Sequence, residues 1–298
     1  VIVNGIAIDE TFAEAFGMKA TRLVITADSP QWAVNAATAM TGFATSVIAC
    51  GCEAGIERAI PPEETPDGRP GVSVLLFAMS GKELAKQVLN RSGQCVMTSP
   101  TSALFAGIES EDAIKMGAAL RFFGDGFQIS KVFAGKRYWR VPVMDGEFLC
   151  EEYAYAVRAV GGGNILILGR SRREALLAAE RAVEAMQRVG GVVLPFPGGI
   201  VRSGSKVGSK YKKLIASTND AFCPTLKGLT DSELSDEVES VMEIVIDGLT
   251  ESAVAEAMAA GMKAICAMGA ASGVTRISAG NYGGKLGQFQ FHLRKILA

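Results

Sequence analysis

The sequence predicts an α+β fold of two duplicated ferredoxin-like lobes, each with the order β-α-β-β-α-β, and an inserted connector. Three observations predict it. Apolar runs of strand length alternate with Ala-rich stretches of helical spacing, glycines punctuate both halves at matching places, and the same order of elements occurs twice in 298 residues. The expected division is residues 1–150 for the N-terminal lobe plus insertion and 151–298 for the C-terminal lobe, since a lobe of about 150 residues is a normal domain size.

In the first half, Arg22 to Thr26 reads as a strand and Pro30 to Met40 as an Ala-rich helix. Gly42 and a β-branched run from Thr45 to Ala49 follow, then a glycine-rich turn, A-G-I-E-R, at Ala54 to Arg58. Val72 to Ala78 reads as a strand, Ser80 to about Arg91 as a helix ending near Gly93, and Cys95 to Thr98 as a short strand.

The second half replays this order. Asn164 to Leu168 is an expected strand and Arg172 to Arg188 a helix with apolar residues at helical spacing, stopped by Gly190 and Gly191. Val192 to Phe196 reads as a strand, and G-G-I-V-R (Gly198 to Arg202) takes the place of A-G-I-E-R. Val241 to Ile246 is a strand, Glu251 to Ala260 a helix ending near Gly261, and Arg276 to Ser278 begins the last strand. The segment from about Phe105 to Gly163 fits neither repeat and reads as the connector. Two helices cover one face of each sheet, so the other face calls for a partner, a second lobe or a ligand. A cleft between lobes is the expected place for ligands.

Hydrophobic residues make up 49% of the chain and charged residues 20%, ample material for a core and against wholesale disorder. The net charge of −1 creates no global field for nucleic acid or an anionic membrane. The most apolar part of the C-terminal half, Ala253 to Ala271, carries Glu256 and Lys263, and no membrane span is expected. The first residues show no basic stretch followed by an apolar run, so no secretory signal is expected either. Cys50, Cys52, Cys95, Cys150, Cys223 and Cys266 are irregularly spaced, with no paired C-x-x-C motif, so a zinc or iron–sulfur site is not expected. Free thiols in a reducing cytoplasm fit this usage.

The segment Pro197 to Gly208, P-G-G-I-V-R-S-G-S-K-V-G, is superficially like a phosphate-binding loop. Ser205 intervenes before Lys206, and Val207 stands where a magnesium-binding hydroxyl belongs, which argues against a nucleoside triphosphatase. Its Gly and Ser residues around Lys206 still suit an anion bound by backbone N–H groups. Arg202, Lys206, Lys210, Lys212 and Lys213 form the densest basic stretch; it either recognises anionic substrate groups or is a solvated loop. G-N-Y-G-G-K-L-G (Gly280 to Gly287) serves either close backbone approach or a plain hairpin.

Glu243 is the most informative single residue. It interrupts the apolar run V-M-E-I-V-I, and period-two alternation puts Val241, Glu243 and Val245 on one face and Met242, Ile244 and Ile246 on the other. If the second set faces the helices, the carboxylate lies among valines on the open side, where a raised pKa suits a general acid/base. The alternative is an edge-strand Glu reaching solvent. The single histidine, His292, near the C-terminus, fits a structural role, and no nucleophilic triad is supported.

Long segments carry a resemblance beyond any one motif. They include E-T-F-A-E-A-F (Glu10 to Phe16), T-G-F-A-T-S-V-I (Thr41 to Ile48), E-A-G-I-E-R (Glu53 to Arg58) and E-T-P-D-G-R-P-G (Glu64 to Gly71). G-Q-C-V (Gly93 to Val96) and F-F-G-D-G (Phe122 to Gly126) continue the series. P-F-P-G-G-I-V (Pro195 to Val201), S-G-S-K-V-G (Ser203 to Gly208), E-I-V-I-D-G-L (Glu243 to Leu249) and S-A-G-N-Y-G-G-K-L-G (Ser278 to Gly287) complete it. Across nearly its whole length the chain resembles the formylmethanofuran–tetrahydromethanopterin formyltransferase family.

The resemblance implies reversible formyl transfer between formylmethanofuran and tetrahydromethanopterin, a duplicated ferredoxin-like fold, a cytoplasmic homotetramer, and no metal or prosthetic group. Methanofuran and tetrahydromethanopterin act as coenzyme substrates. It carries the catalytic role onto Glu243. The expected substrate-binding positions are Gly198, Gly199, Arg202, Ser203, Ser205 and Lys206, with Asn281 and Tyr282 from the later loop. Oxyanion donors are expected among backbone N–H groups of a glycine-rich turn. Met242 and Arg202 depart from the archaeal pattern, and the chain is less acidic, which points to a methylotrophic bacterium and a formyltransferase/hydrolase complex. The competing expectations are a coenzyme-binding module without chemistry and a scaffold chain of such a complex.

Overall fold

The computed structural model describes residues 1–298 and shows a mixed α+β chain with seven α-helices. It forms two compact units, Met18–Ala159 and Val1–Gly17 with Val160–Ala298. The strands Phe12–Thr26 and Tyr153–Gly169 each contribute residues to both units.

In the unit of residues 18–159, neighbouring strands run Glu53–Ile60, Gly71–Ala78, Phe12–Thr26, Ala103–Ala106, every pair antiparallel. Leu23 lies opposite Val74 on one side and Ala106 on the other. Helices Pro30–Thr41 and Gly81–Arg91 bury Ala33, Ala37, Met40, Leu84 and Val88 against Leu23, Ile25, Val74 and Leu76. The segment read as a connector extends this sheet: Gly146–Glu151 pairs in parallel with Ala103–Ala106, and Lys136–Val143 and Ile129–Phe133 follow. Ala134 and Gly135, both at positive φ, make the two-residue hairpin between the last two.

Three local expectations are corrected. The A-G-I-E-R segment is not a turn but part of the strand Glu53–Ile60, with a register shift between Ile56 and Arg58. This irregularity accommodates Glu57, whose carboxylate accepts hydrogen bonds from Arg22 and Ser73. Cys95 to Thr98 is not a strand: the chain leaves Gly81–Arg91 through a wider helical turn, Ser92–Val96, and Ala103–Ala106 is the fourth strand. Within the β-branched run at 45–49 the chain turns into the short helix Val47–Cys50, capped by Ser46.

The other unit repeats the neighbour order: Val192–Val193, Ser240–Gly248, Tyr153–Gly169, Val274–Ser278, again all antiparallel. Ile6–Ile8 adds a parallel strand beside Val274–Ser278. Helices Arg172–Met186 and Glu251–Met268 pack on one face. Ser171 and Glu174 form a reciprocal cap, the serine accepting from Glu174 N–H and donating to its carboxylate. Thr250 caps the second helix by accepting from Ala253 N–H. That helix does not end near Gly261. The glycine lies mid-helix, where a Cβ would come within 2.1 Å of Met186 Cε, so its absence lets the two helices close. Met242, Ile244 and Ile246 are buried among these helices, as alternation predicts. Each full Ile burial contributes about 1.5–3 kcal/mol.

Between Val192–Val193 and Ser240–Gly248 the chain makes a long excursion. Phe222, Leu234 and Val238 from it pack on Leu166, Leu168 and Val241, covering the sheet face opposite the helices. The expected strand to Phe196 is cut short at Val193, where this excursion departs. No helix is long and apolar enough to cross a membrane.

Candidate active site

The covered face is not filled completely. A hollow of about 90 Å³ remains, lined by Leu166, Val201, Arg202, Ser203, Gly204, Thr218, Asn219, Phe222, Cys223, Val241 and Glu243. All of them belong to the unit containing residues 160–298.

Glu243 stands on the central strand Ser240–Gly248, opposite Leu166 in the neighbouring strand. Its main chain is fixed from the other side as well: its N–H donates to Val201 O at 2.9 Å, and Val201 N–H donates to Glu243 O at 2.7 Å. None of the chain's hydrogen bonds or ion pairs reaches its carboxylate. Surrounded by Leu166, Val201 and Val241, the carboxyl loses hydration, and burial pushes its pKa up from 4.5 to about 7. A group that titrates there can both accept and return a proton near neutrality.

The chain's shape near Glu243 depends on Gly204. A Cβ built on it would lie 3.6 Å from Glu243 Oε2 and 3.7 Å from Asn219 Cβ, so the glycine leaves open the space between these two side chains. The loop is tied down by the short ladder of Ser205–Val207 with Ala216–Thr218 and by Asn219 N–H to Gly204 O at 2.9 Å.

The expected binding residues separate into three groups. Arg202 and Ser203 line the hollow. Tyr282 lies within electrostatic reach of Glu243: burial raises its phenol pKa, and the Glu243 and Glu14 charges add to the shift. Ser205 is exposed on its strand outside the hollow's wall, and Lys206 gives its charge to Asp220 at 2.6 Å. Gly198 and Gly199, at φ 60° and 79°, form a turn in which Gly199 packs near Val183 and Leu194; neither lines the hollow. Asn281 is spent inside the fold, donating to Thr11 Oγ1 and Phe12 O and accepting from Gly283 N–H.

Sequence reasoning assigned no role to Glu14. Only 1% exposed, it accepts N–H bonds from Tyr282 (2.7 Å), Gly284 (2.9 Å), Leu286 (2.7 Å) and Gly287 (2.6 Å). Burial by itself would raise its pKa, but these four donors outweigh burial and hold the carboxyl below its usual range. The signal was present in F-A-E-A-F, a carboxylate between two buried alanines on an alternating strand. The G-N-Y-G-G-K-L-G segment is thus wrapped around a buried anion, which fixes Tyr282. Asn219 was also missed, since a lone Asn in a loop has no periodic signature. His292 packs against Phe12, with ring centroids 5.3 Å apart. No group of three or more His, Cys, Asp or Glu side chains is gathered to hold a metal ion.

Comparisons with known proteins place nearly the whole chain in one family. Residues 1–143 match the family model described as formylmethanofuran-tetrahydromethanopterin formyltransferase, and residues 146–296 match the model of its proximal lobe. The chain is 69% identical over 298 residues to the formylmethanofuran–tetrahydromethanopterin formyltransferase of Methylococcus capsulatus, covering 100% of both chains. It is 55% identical to a component of the formyltransferase/hydrolase complex of Methylorubrum extorquens, covering 99% of this chain and 97% of that one. The crystal structure of that complex with methylofuran superposes at a TM-score of 0.98, with 55% identity over 100% of this chain and 99% of that one. The formyltransferase from Methanosarcina barkeri superposes at 0.94, with 48% identity over 99% of this chain and 100% of the other.

Proposed function

Since the chain belongs to the formylmethanofuran–tetrahydromethanopterin formyltransferase family, we propose that it moves a formyl group between these two coenzyme substrates by direct transfer, with Glu243 as the proton carrier. The observation that carries this reading is a carboxylate without a hydrogen-bonding partner, set beside Leu166, Val201 and Val241 in a hollow, whose burial raises its pKa to about 7.

The pterin amine attacks the formyl carbon of formylmethanofuran, a formamide. A new carbon–nitrogen bond forms as the carbonyl π pair moves onto oxygen. The attacking nitrogen loses its proton to the Glu243 carboxylate, which then delivers it to the methanofuran nitrogen. Collapse of the tetrahedral intermediate restores the carbonyl and breaks the old carbon–nitrogen bond. Such proton transfer contributes roughly 10²–10⁴-fold. The hydrophobic wall formed by Leu166, Phe222 and Val241 limits water at the formyl group, which would otherwise hydrolyse it.

Arg202 and Ser203 are the binding residues best supported by position, with Tyr282 within electrostatic reach of Glu243. With Lys206 paired, attraction of anionic substrate groups falls to Arg202, Lys210, Lys212 and Lys213, none of which forms an ion pair within the chain. We read residues 1–150 and 151–298 as two ferredoxin-like copies. What supports this is the shared order of strands, second-third-first-fourth, in both units. Assembly as a homotetramer or within a formyltransferase/hydrolase complex is supported by the exposed Phe122, Phe123 and Phe127 in one short segment, with Met144 sharing a hollow with Phe123. Six free thiols suit a reducing cytoplasm.

The test is a pterin absorbance assay with the purified chain and both coenzymes. Formyl-tetrahydromethanopterin should accumulate with turnover. Binding of both coenzymes without exchange would instead make the chain a binding module or scaffold.

A further inference from the structure

Formyl transfer needs a donor for the oxygen that becomes negative, and the 280–287 loop and the 197–200 turn spend most of their N–H groups elsewhere. In the 280–287 loop the N–H groups of Tyr282, Gly284, Leu286 and Gly287 are given to Glu14, that of Gly283 to Asn281 Oδ1 and that of Gly280 to Asn164 Oδ1. In the 197–200 turn, Gly199 N–H donates to Phe196 O and Ile200 N–H to Pro197 O. These donors are consumed in building the site.

Among the half-buried neutral polar side chains on the hollow's wall, one is left unspent. Arg202, Ser203 and Thr218 are exposed, and only Asn219 and Cys223 are half-buried polar groups besides Glu243. Cys223 Sγ is engaged with Thr218 Oγ1 and Asn219 O, each at 3.3 Å. Asn219 is held by its main chain from both directions, its N–H donating to Gly204 O at 2.9 Å and its carbonyl accepting from Phe222 N–H at 3.0 Å. Its carboxamide takes part in none of the chain's hydrogen bonds. This is a fixed stem with a free donor, across the space that Gly204 leaves beside Glu243 Oε2.

We propose that Asn219 is a catalytic residue: its side-chain N–H donates to the formyl oxygen and strengthens that bond as the oxygen becomes an alkoxide in the tetrahedral intermediate. The proposal rests on the Glu243-centred formyl transfer set out above. No proton leaves Asn219. The carbonyl π pair rests on the oxygen it holds, and returns when the protonated nitrogen departs. A neutral amide suits this role beside Glu243, because it stabilises the oxyanion without competing for the proton being carried. Preorganised donors of this kind act most strongly where water is excluded.

The experiment compares Asn219→Ala and Asn219→Asp with wild type and Glu243→Gln, measuring kcat, both KM values and the pH profile of the purified chain with both coenzymes. Loss of the donor should lower kcat by about 10²–10³-fold, with KM for both substrates changed by less than about threefold. The pH dependence of Asn219→Ala should remain that of wild type, since Glu243 is intact. Asn219→Asp keeps the shape and replaces the donor by an acceptor, so it should lose at least as much and serves as the test if the alanine variant folds poorly. Near-wild-type kcat in a folded variant, or a loss expressed wholly in KM, would overturn the assignment. Full activity of Glu243→Gln, or no transfer by wild type, would overturn the underlying reading as well and so is distinguishable.

Discussion

Val201 and Glu243 exchange both of their main-chain hydrogen bonds, at 2.7 and 2.9 Å, although they stand on different segments of the chain. This one bridge sets the register between the loop of Arg202, Ser203 and Gly204 and the strand that carries the carboxylate. The hollow therefore does not depend on a flexible loop finding its place. Its floor is a central strand, and its wall is stitched to that strand at the reacting residue.

Gly204→Ala tests whether the space between Glu243 and Asn219 is used. The added methyl would meet only ordinary contacts at 3.6 and 3.7 Å, so the fold should survive with a melting temperature within a few degrees of wild type. Turnover should fall at least about tenfold, because a misplacement of about 1 Å is costly in a reaction dependent on alignment. Steady-state rates and a thermal melt on the same preparation check this; unchanged rates would place the substrate elsewhere.

Glu14→Gln should destabilise the chain by about 2–4 kcal/mol, since hydrogen bonds to a charged group are worth more than neutral ones and an amide cannot accept from all four donors. Activity should fall with it as Tyr282 loses its anchor. The sign with pH follows from the lowered pKa. The wild-type contribution is present above the unfolded carboxyl's pKa and disappears as acid takes pH down through the folded value. Denaturant unfolding at neutral and acidic pH should show the two proteins converging in acid.

Arg202→Glu should raise apparent KM for an anionic substrate by about tenfold or more, and the wild-type KM should rise with salt. Lys206→Ala should do less, because its ammonium is already paired with Asp220 at 2.6 Å. Equal effects from both variants would mean that the ion pair opens when substrate binds.

Glu243 should reduce stability while serving chemistry. Its folded pKa is raised from 4.5 to about 7, so between those values the folded chain holds a proton that the unfolded chain has released. Stability must fall as pH rises across that window. Glu243→Gln should be more stable than wild type above about pH 7, by up to about 3 kcal/mol. Parallel stability-versus-pH curves would show that the carboxyl is hydrated.

Much of this was legible in the sequence because it follows from periodicity. Alternation in V-M-E-I-V-I put Met242, Ile244 and Ile246 on one face and Glu243 on the other, leaving open which face meets the helices; the structure buries the first set against them. The repeated order of strands and helices was also readable, and the helices beginning at Gly81, Arg172 and Glu251 start at or next to the expected residues. Three features were not legible, for separate reasons. Gly261 reads as a stop signal but serves as a close approach to Met186, a tertiary fact. The excursion after Val193 has little periodicity, so its roofing of Leu166 and Leu168 could not be foreseen. Glu14 and its loop are separated by about 270 residues, and nothing local tells that one will be wrapped by the other.

The central claim is that Glu243 carries the proton, and it is tested most directly by the turnover of Glu243→Gln across pH. Wild-type kcat/KM should rise with pH through about 7 and level off above it, as the carboxyl gains its base form. Glu243→Gln should bind both coenzymes with ordinary affinity, lose about 10²–10⁴-fold in kcat and lack that rise. A folded Glu243→Gln that turns over near the wild-type rate with the same pH profile would contradict the account.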